Sequence, residues 1–264
     1  GMRGAVAAVV LLPFMLREQR RRLASTAGRN RGQALNQTAE QTAGIWRYAL
    51  LAGVVFFLAG GTQQTGIVDA TVTNTGFLTA LYVVVTPFLF WLVRRQRPGL
   101  TTWFSAGLAF VGVWALGGGA LESFNRGDIL VACSSVFWAT LLIISGEASR
   151  KAQPLSYTCI QFAVVACLSL ACAAVFESVE LAALRAAIIP ILYVGVLSSA
   201  LTFGIMAIAL QHVPAPRASI MLSMETVFAA MAGFIMLDER LSGLGWAGAS
   251  LILLAVLLVQ RSRD

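Results

Sequence analysis

The sequence predicts an all-α polytopic membrane protein, folded as an inverted-repeat helical bundle with about nine transmembrane helices. The first reason is composition: 58% of the 264 residues are hydrophobic and only 12% are charged, whereas roughly a quarter of an average soluble domain is charged. The second is that the apolar residues form runs of about 20, the helix length that spans a hydrocarbon core about 30 Å thick. The third is a repeat at an offset of 143 residues, in which Trp103 and Ala106 recur as Trp246 and Ala249.

The first apolar run, residues 4–16, is the shortest. Thirteen helical residues reach only about 20 Å. The run ends at Arg17 and the cluster Arg20 to Arg22, a flank that does not suit cleavage of a signal peptide. We therefore expect a transmembrane helix whose upstream neighbour is missing from this chain. The predicted spans are residues 4–16, 48–67, 72–93, 103–120, 128–146, 155–176, 188–210, 217–237 and 244–260.

The basic residues predict how these spans are oriented. If the chain starts outside, 15 of the 19 Lys and Arg residues lie in inside loops or the tail and four lie outside. This distribution follows the positive-inside rule and predicts a cytoplasmic C-terminus in the inner membrane. The polar stretch from Arg17 to Gly44 has no apolar periodicity, so we predict a mobile cytoplasmic loop whose arginines contact anionic lipid headgroups.

The two copies of the repeat are predicted to have opposite orientation. The matched stretches, 46–117 and 189–260, contain three spans each and are joined through two further spans. Arg97 consequently falls inside, while its partner Arg240 falls outside. Such antiparallel pseudo-symmetry is typical of carriers that bind a small solute between two halves.

Several other functions lack the residues that they need. The only histidine, His212, lies at a span end, and there is no P-loop, so no enzyme, metal or cofactor is expected. The net charge of +7 is mostly a topology signal, since no aromatic interleaving accompanies it, and a nucleic-acid partner is not expected. The four cysteines are in apolar settings and are predicted to be small core residues. They are Cys133, Cys159, Cys167 and Cys172.

Glu225 is the most informative polar residue inside a span. It is ninth of the 21 residues in 217–237, and a carboxylate at that depth normally faces the bundle interior or a water-filled cavity. One interpretation is a cavity carboxylate that binds a cationic substrate group or takes up a coupling proton. The other is a structural carboxylate tied to a helix end or to Arg217, which lies two turns away on the same face.

The repeat predicts which faces line the cavity. At the 143-residue offset, Asn74, Leu78 and Tyr82 correspond to Arg217, Met221 and Glu225. Each triplet has the spacing i, i+4, i+8 and forms one stripe on its helix. We expect the two stripes to face each other across a substrate cavity. The alternative is helix packing, which polar side chains also support in membranes.

Four further residues are weaker candidates for substrate binding. Gln63 and Gln64 lie near the outer end of their span, where a side chain contacts substrate or caps the helix. Trp138 lies mid-span, where an interfacial aromatic belt does not account for it, so it packs either against the cavity or only against neighbouring helices. Thr202 either contacts substrate or bonds to the carbonyl four residues earlier in its own helix.

Three stretches resemble EamA-type proteins of the drug/metabolite transporter superfamily. Residues 75–87 are similar to the family's fourth helix, and residues 125–139 to the start of its second half. Residues 221–230 with 238–241 resemble its ninth helix and the following loop. The chain departs from the family at Thr226, where a Pro often follows the Glu, and at Arg94 to Arg97, where an acidic residue is often found.

The resemblance implies ten helices in two inverted five-helix repeats around a central substrate cavity. The nine spans would then be helices two to ten, with a truncated four-helix repeat in 1–120 and a five-helix repeat in 124–264. It implies a secondary carrier for a small organic metabolite, such as an amino acid, working by alternating access. The predicted substrate-binding residues are Gln64, Asn74, Leu78, Tyr82, Trp138, Thr202, Met221 and Glu225.

Some alternatives stay open at the level of sequence. The chain could be an uncoupled facilitator or channel, a membrane-embedded enzyme or a non-transporting subunit. The expected partners are a small-molecule substrate, the lipid bilayer and, for a coupled carrier, a proton. A homodimer is also open, because small residues on helix surfaces serve packing within one chain as readily as packing between chains.

Overall fold

The fold was obtained from a computed structural model, which describes residues 1–26, 31–119, 125–151, 153–176, 184–185, 187–236 and 242–262. Every regular element in these ranges is helical, and seven segments are long and apolar enough to cross a membrane. The predicted class, a polytopic helical membrane protein, is confirmed. Arg29, Arg240 and Arg263, and the predicted junction between the repeats at 120–124, lie outside the described residues.

The helices follow the predicted spans closely. A π-helical segment, Val194–Leu201, lies between α8 and α9. The α-helices are α1 Met2–Thr26, α2 Arg31–Ile67, α3 Val72–Ala80, α4 Tyr82–Arg94, α5 Leu100–Leu116, α6 Arg126–Arg150, α7 Pro154–Phe176, α8 Ile188–Tyr193, α9 Thr202–Ala209, α10 Ala215–Leu222, α11 Met224–Met236 and α12 Gly243–Arg261.

The predicted loop between the first two spans is wrong for most of its length. Helix α1 continues from the first span to Thr26, and α2 begins at Arg31. The absence of apolar periodicity indicated a loop, but Ala, Gln, Glu and Arg are strong helix formers. A helix that leaves the membrane needs no apolar stripe to continue, so these residues extend the spans into the aqueous phase.

Two predicted spans are each interrupted once. The span 72–93 breaks between α3 and α4 at Leu81, and the span 217–237 breaks between α10 and α11 at Ser223. At both breaks the N–H bonds to the carbonyl three residues earlier, at 3.3 Å for Leu81 and 3.2 Å for Ser223. At the 143-residue offset Ser223 pairs with Ala80, so the two interruptions lie one residue apart.

Pro87 lies inside α4 and not at the break. A proline has no N–H, so the carbonyl four residues earlier loses its helical donor. That carbonyl, Val83 O, lies 3.5 Å from the Ser219 hydroxyl of α10, whose shorter bond, at 2.9 Å, is to Pro216 O in its own helix.

The described helices fall into two compact units. The first unit comprises Gly1–Phe57 and Ile144–Val213, and the second comprises Leu58–Ile143 and Pro214–Asp264. Each unit takes segments from both predicted repeats. Packing units and sequence repeats are different properties, so the predicted repeat bounds 1–120 and 124–264 stay a prediction.

In the first unit, α1 packs against α7 and the π-helical segment. A Cβ added at Gly195 would lie 2.6 Å from the Val6 Cβ, so this close approach requires glycine. Three rings fill the core, with centroids of Phe56, Phe162 and Phe203 separated by 5.2–5.4 Å. At the start of α7, the Glu18 carboxylate accepts from the Ser156 N–H and hydroxyl at 2.8 and 2.7 Å.

In the second unit, α5 and α12 pack backbone to backbone. A Cβ added at Gly248 would lie 2.5 Å from Gly112 O, and the apolar residues around the pair are buried. The end of α2 approaches the start of α6 in the same way, since a Cβ at Gly127 would lie 2.5 Å from Gly66 O. These contacts hold the helices that carry most of the candidate site.

Candidate functional site

Seven of the eight predicted site residues belong to the second unit, and Thr202 belongs to the first. Gln64 and Glu225 are exposed, Tyr82, Trp138 and Met221 are half-buried, and Asn74 and Leu78 are buried.

Glu225 lies in the first turn of α11, directly after the break at Ser223. Its carboxylate is exposed and, among the described residues, forms no hydrogen bond or ion pair. Free N–H groups at a helix N-terminus favour a negative charge, so the break accounts for a carboxylate at this depth. The position agrees with the helix-end interpretation of Glu225.

Arg217 does not pair with Glu225, contrary to the alternative raised by their spacing. The arginine lies in the first turn of α10, and its Nη2 atom is buried without a hydrogen-bond partner in the described part of the chain. Ser223, a one-residue interruption whose backbone stays in the right-handed helical region, lies between the two residues.

Tyr82 and Met221 pack against the same apolar cluster. This cluster consists of Val83, Ala106, Ala109, Ile220, Ala255, Val256 and Val259. One member of each predicted stripe thus lies near a member of the other stripe.

Asn74 lies in a buried polar network at the end of the second unit. Its Nδ2 donates to Asp128 Oδ2 at 3.2 Å, and both residues are fully buried. Asp128 Oδ2 also accepts from the Asn125 N–H at 2.8 Å, while Asn125 Oδ1 accepts from the Asp128 N–H at 3.0 Å. Asn125 Nδ2 donates to Asp69 O at 2.7 Å. This network joins the end of α2 and the starts of α3 and α6.

Trp138 belongs to a second polar chain. Its Nε1–H donates to Gln63 Oε1 at 3.0 Å, and Gln63 Nε2 donates to Thr79 Oγ1 at 3.0 Å. All three residues are half-buried. The chain links α6, α2 and α3 through side chains alone.

Thr202 bonds to its own helix, but not to the predicted carbonyl. Its hydroxyl donates to Leu197 O, five residues earlier, at 2.9 Å. The preceding residues are π-helical, and a π-helix brings position i−5 under residue i. The side chain is exposed in the first unit.

Sequence reasoning gave too little weight to Gln63, Thr79 and Asp128. The pair Asn125 and Asp128 has capping-box spacing, in which an N-cap side chain and the third helical residue bond to each other's N–H. That signal was readable. Gln63 could not be chosen over Gln64 from sequence, since adjacent residues differ by about 100° around a helix and either one could face the bundle. Within the described ranges, no three His, Cys, Asp or Glu side chains cluster as metal ligands would.

Comparison with known proteins places this fold in a family. The model of the EamA-like transporter family matches residues 1–118 and 125–261. An uncharacterized transporter of Archaeoglobus fulgidus is 30% identical over 207 residues, covering 78% of this chain and 66% of that protein. The uncharacterized transporter YwfM of Bacillus subtilis is 25% identical over 226 residues, covering 81% and 73%. A solved crystal structure shares the fold, with a TM-score of 0.72 and 14% identity over 98% of this chain and 85% of that one.

These findings agree with the chemistry of the chain. Long apolar helices require a membrane, and both similar proteins are named as transporters. The chain spans about two thirds of the length of the Archaeoglobus relative. Because the family model matches nearly all of its residues, the chain belongs to the EamA-like transporter family, and it is a multi-pass membrane transporter.

Proposed function

We propose that the chain is a secondary carrier that moves an amino acid or a related small metabolite across the inner membrane by alternating access. The observation that carries the proposal is Glu225: an exposed carboxylate, mid-span, without a protein hydrogen bond or ion pair in the described residues. Contact with hydrocarbon would cost a charged group several kcal/mol, so such residues normally face water-filled pathways. Glu225 then lies on the substrate path and binds an ammonium group or a coupling proton.

The neighbours of Glu225 support a substrate with an apolar portion. Tyr82 and Met221 border the apolar cluster defined above and remain half-buried. Small-molecule sites are largely apolar, with a few polar groups that set orientation. A carboxylate beside an aromatic ring and a thioether suits a cationic group attached to an apolar side chain.

The first experiment identifies a substrate. The purified chain in detergent is heated with amino acids, amines, sugars, nucleosides and cationic drugs, and the unfolding temperature is compared with that of the free protein. A compound at about 100 times its dissociation constant stabilises the folded state by roughly 2.7 kcal/mol. Stabilisation by amino acids, followed by counterflow of the same radiolabelled compound in proteoliposomes, would support the carrier. Absence of binding and of counterflow for every compound would overturn it.

The role of Glu225 is tested by Glu225→Gln. We expect the initial transport rate to fall at least tenfold, because the neutral amide cannot hold an ammonium group or carry a proton, while the amount of protein in the membrane is unchanged. Asp69→Asn is the matched control, since Asp69 is exposed and contributes its backbone carbonyl to the network. Unchanged kinetics in Glu225→Gln would remove Glu225 from the mechanism.

Coupling is tested with an imposed pH gradient across the proteoliposome membrane. A proton-coupled carrier accumulates the substrate above its external concentration when the gradient is applied, and it stops when an ionophore dissipates the gradient. Equilibration without accumulation would instead assign the chain to the facilitators. Either result leaves membrane transport intact as the function.

A further inference from the structure

The hydrogen-bond chain from Trp138 has a direction that chemistry dictates. An indole N–H can only donate, so Gln63 must present its Oε1 to Trp138. The amide nitrogen of Gln63 therefore points to Thr79, whose hydroxyl oxygen must accept. No other orientation of the amide satisfies both contacts, so one lone pair of Thr79 Oγ1 is occupied.

The proton of the Thr79 hydroxyl is left to donate elsewhere. In the described residues it has no acceptor, although a threonine in a helix ordinarily donates to the carbonyl four residues earlier. Such bonds, 2.6–2.9 Å long, are made by Thr62, Thr65, Thr86, Thr140 and Thr158. Thr75, one turn before Thr79 on the same face of α3, also has a buried Oγ1 without a described partner.

Open space lies on the same helix beside Gly76. Gly76 is three residues before Thr79, so the two positions are neighbours on the helix surface. A Cβ added at Gly76 would meet nothing within 4 Å, whereas glycines at helix contacts in the same unit, such as Gly112 and Gly248, leave no such room. A group outside α3 therefore has room to approach the helix surface at Gly76, one turn from Thr79.

We propose that Thr79 is the donor of a subsite for a hydrogen-bond-accepting group of the transported molecule, a carboxylate or carbonyl oxygen. Gln63 and Trp138 are positioning residues, since they occupy the Thr79 lone pair and direct its proton outward. The subsite lies on α2, α3 and α6 of the second unit. It rests on the proposed function and deepens it, since it adds a site for an accepting group of the substrate to the cationic group that Glu225 is proposed to bind.

The fixed direction of this hydrogen-bond chain predicts which ligands bind, because it leaves Thr79 as a donor. A ligand that presents only donors forms no hydrogen bond with the Thr79 proton, so it gains no binding free energy at this position. A ligand carboxylate gains a charge-assisted hydrogen bond, which is stronger than a bond between neutral groups. The same molecule without its carboxylate should therefore bind more weakly.

The test compares L-phenylalanine and L-leucine with phenethylamine and isopentylamine, the same molecules without the carboxylate, within a panel of the twenty amino acids. The readout is the apparent dissociation constant from thermal unfolding of the purified full chain. We expect the stabilising amino acids to bind the wild type at least tenfold more tightly than the corresponding amines. Thr79→Val should weaken amino acid binding about tenfold and leave amine binding unchanged, while Thr79→Ser should restore wild-type affinity.

A purely structural role of Thr79 would give a different pattern. Thr79→Val would then weaken binding of amines and amino acids equally, or leave both unchanged, and either result would overturn the subsite. Trp138→Phe removes the donor that orients Gln63, so it should reduce the preference for the amino acid over the amine without abolishing binding. An unchanged preference would remove Trp138 from the positioning role.

The location is tested independently with Gly76→Leu and its control Gly107→Leu. Both glycines are exposed in helices of the same unit, and a Cβ at either would meet nothing within 4 Å, so both variants should fold with little change in the unfolding temperature of the free protein. Gly76→Leu should weaken amino acid binding more than tenfold, because its side chain fills the subsite, whereas Gly107→Leu should bind as the wild type does. Equal, wild-type affinity in both variants would overturn the placement.

Failure of the subsite is distinguishable from failure of the proposed function. If sugars or amines stabilise the protein and are transported while no amino acid does either, the assignment of Thr79 to a carboxylate or carbonyl group of the substrate is overturned. The proposal that the chain is a carrier is then unaffected. If amino acids bind and are transported with Thr79→Val unaffected, only the subsite is overturned. If nothing in the wider panel binds or is transported, both are overturned.

Discussion

At the residue scale, the buried network around Asp128 shows how a carboxylate is stabilised at the edge of a membrane span. One oxygen, Oδ2, accepts from the Asn74 amide and from the Asn125 N–H. The other, Oδ1, is buried without a partner in the described residues. Since Asp128 lies in the first turn of α6, the free N–H groups of that turn also favour its negative charge. The network therefore supports the structure and leaves Asn74 facing a protein partner.

Replacing Asp128 should destabilise the fold. Asp128→Ala leaves two donors, Asn74 Nδ2 and the Asn125 N–H, without their acceptor, and each unsatisfied buried polar group costs about 1–3 kcal/mol. We expect a clear fall in the unfolding temperature in detergent. Asp69→Ala is the control, because Asn125 bonds to the backbone carbonyl of Asp69. Equal unfolding temperatures in the two variants would contradict a structural role for the carboxylate.

At the element scale, small residues make the close contacts between helices. The two helix interruptions occur at residues that are not proline or glycine. Neither Leu81 nor Ser223 is a proline or glycine, and Pro87 lies within a continuous helix. A helix can be interrupted where tertiary packing outweighs local propensity, which is only a weak preference. The interruption at Ser223 places Glu225 in the first turn of α11, in the middle of its predicted span.

The contact between α5 and α12 gives a prediction at this scale. Gly248→Ala would place a Cβ 2.5 Å from Gly112 O, and a backbone atom cannot move aside without moving the helix. Overpacking of this kind costs about 1–3 kcal/mol, so the unfolding temperature should fall. Gly107→Ala, in the open part of α5, should instead raise stability by up to about 1 kcal/mol, because alanine is the better helix former. The opposite order of the two variants would contradict the packing of α5 against α12.

At the scale of the whole molecule, the sequence predicted what depends on composition and not what depends on packing. The helical membrane class and the approximate spans follow from the lengths of apolar runs, which are local. The choice between Gln63 and Gln64, the breaks at Leu81 and Ser223 and the partner of Asn74 depend on which faces meet, and one sequence does not carry that information. The extent of α1 was missed for another reason: the lipid boundary limits apolar runs but does not end a helix.

The orientation of the chain remains the largest prediction that the fold itself does not test, and it can be measured with two single cysteines. The exposed positions Val68 and Gln96 flank the helices α3 and α4, so they should lie on opposite sides of the membrane. In a variant with the four native cysteines replaced, Val68→Cys should react with a membrane-impermeant maleimide in intact cells. Gln96→Cys should react only after permeabilisation, because Arg94, Arg95 and Arg97 hold its loop on the cytoplasmic side. The reverse pattern would place 15 of the 19 basic residues outside and would overturn the predicted topology, including the cytoplasmic C-terminus.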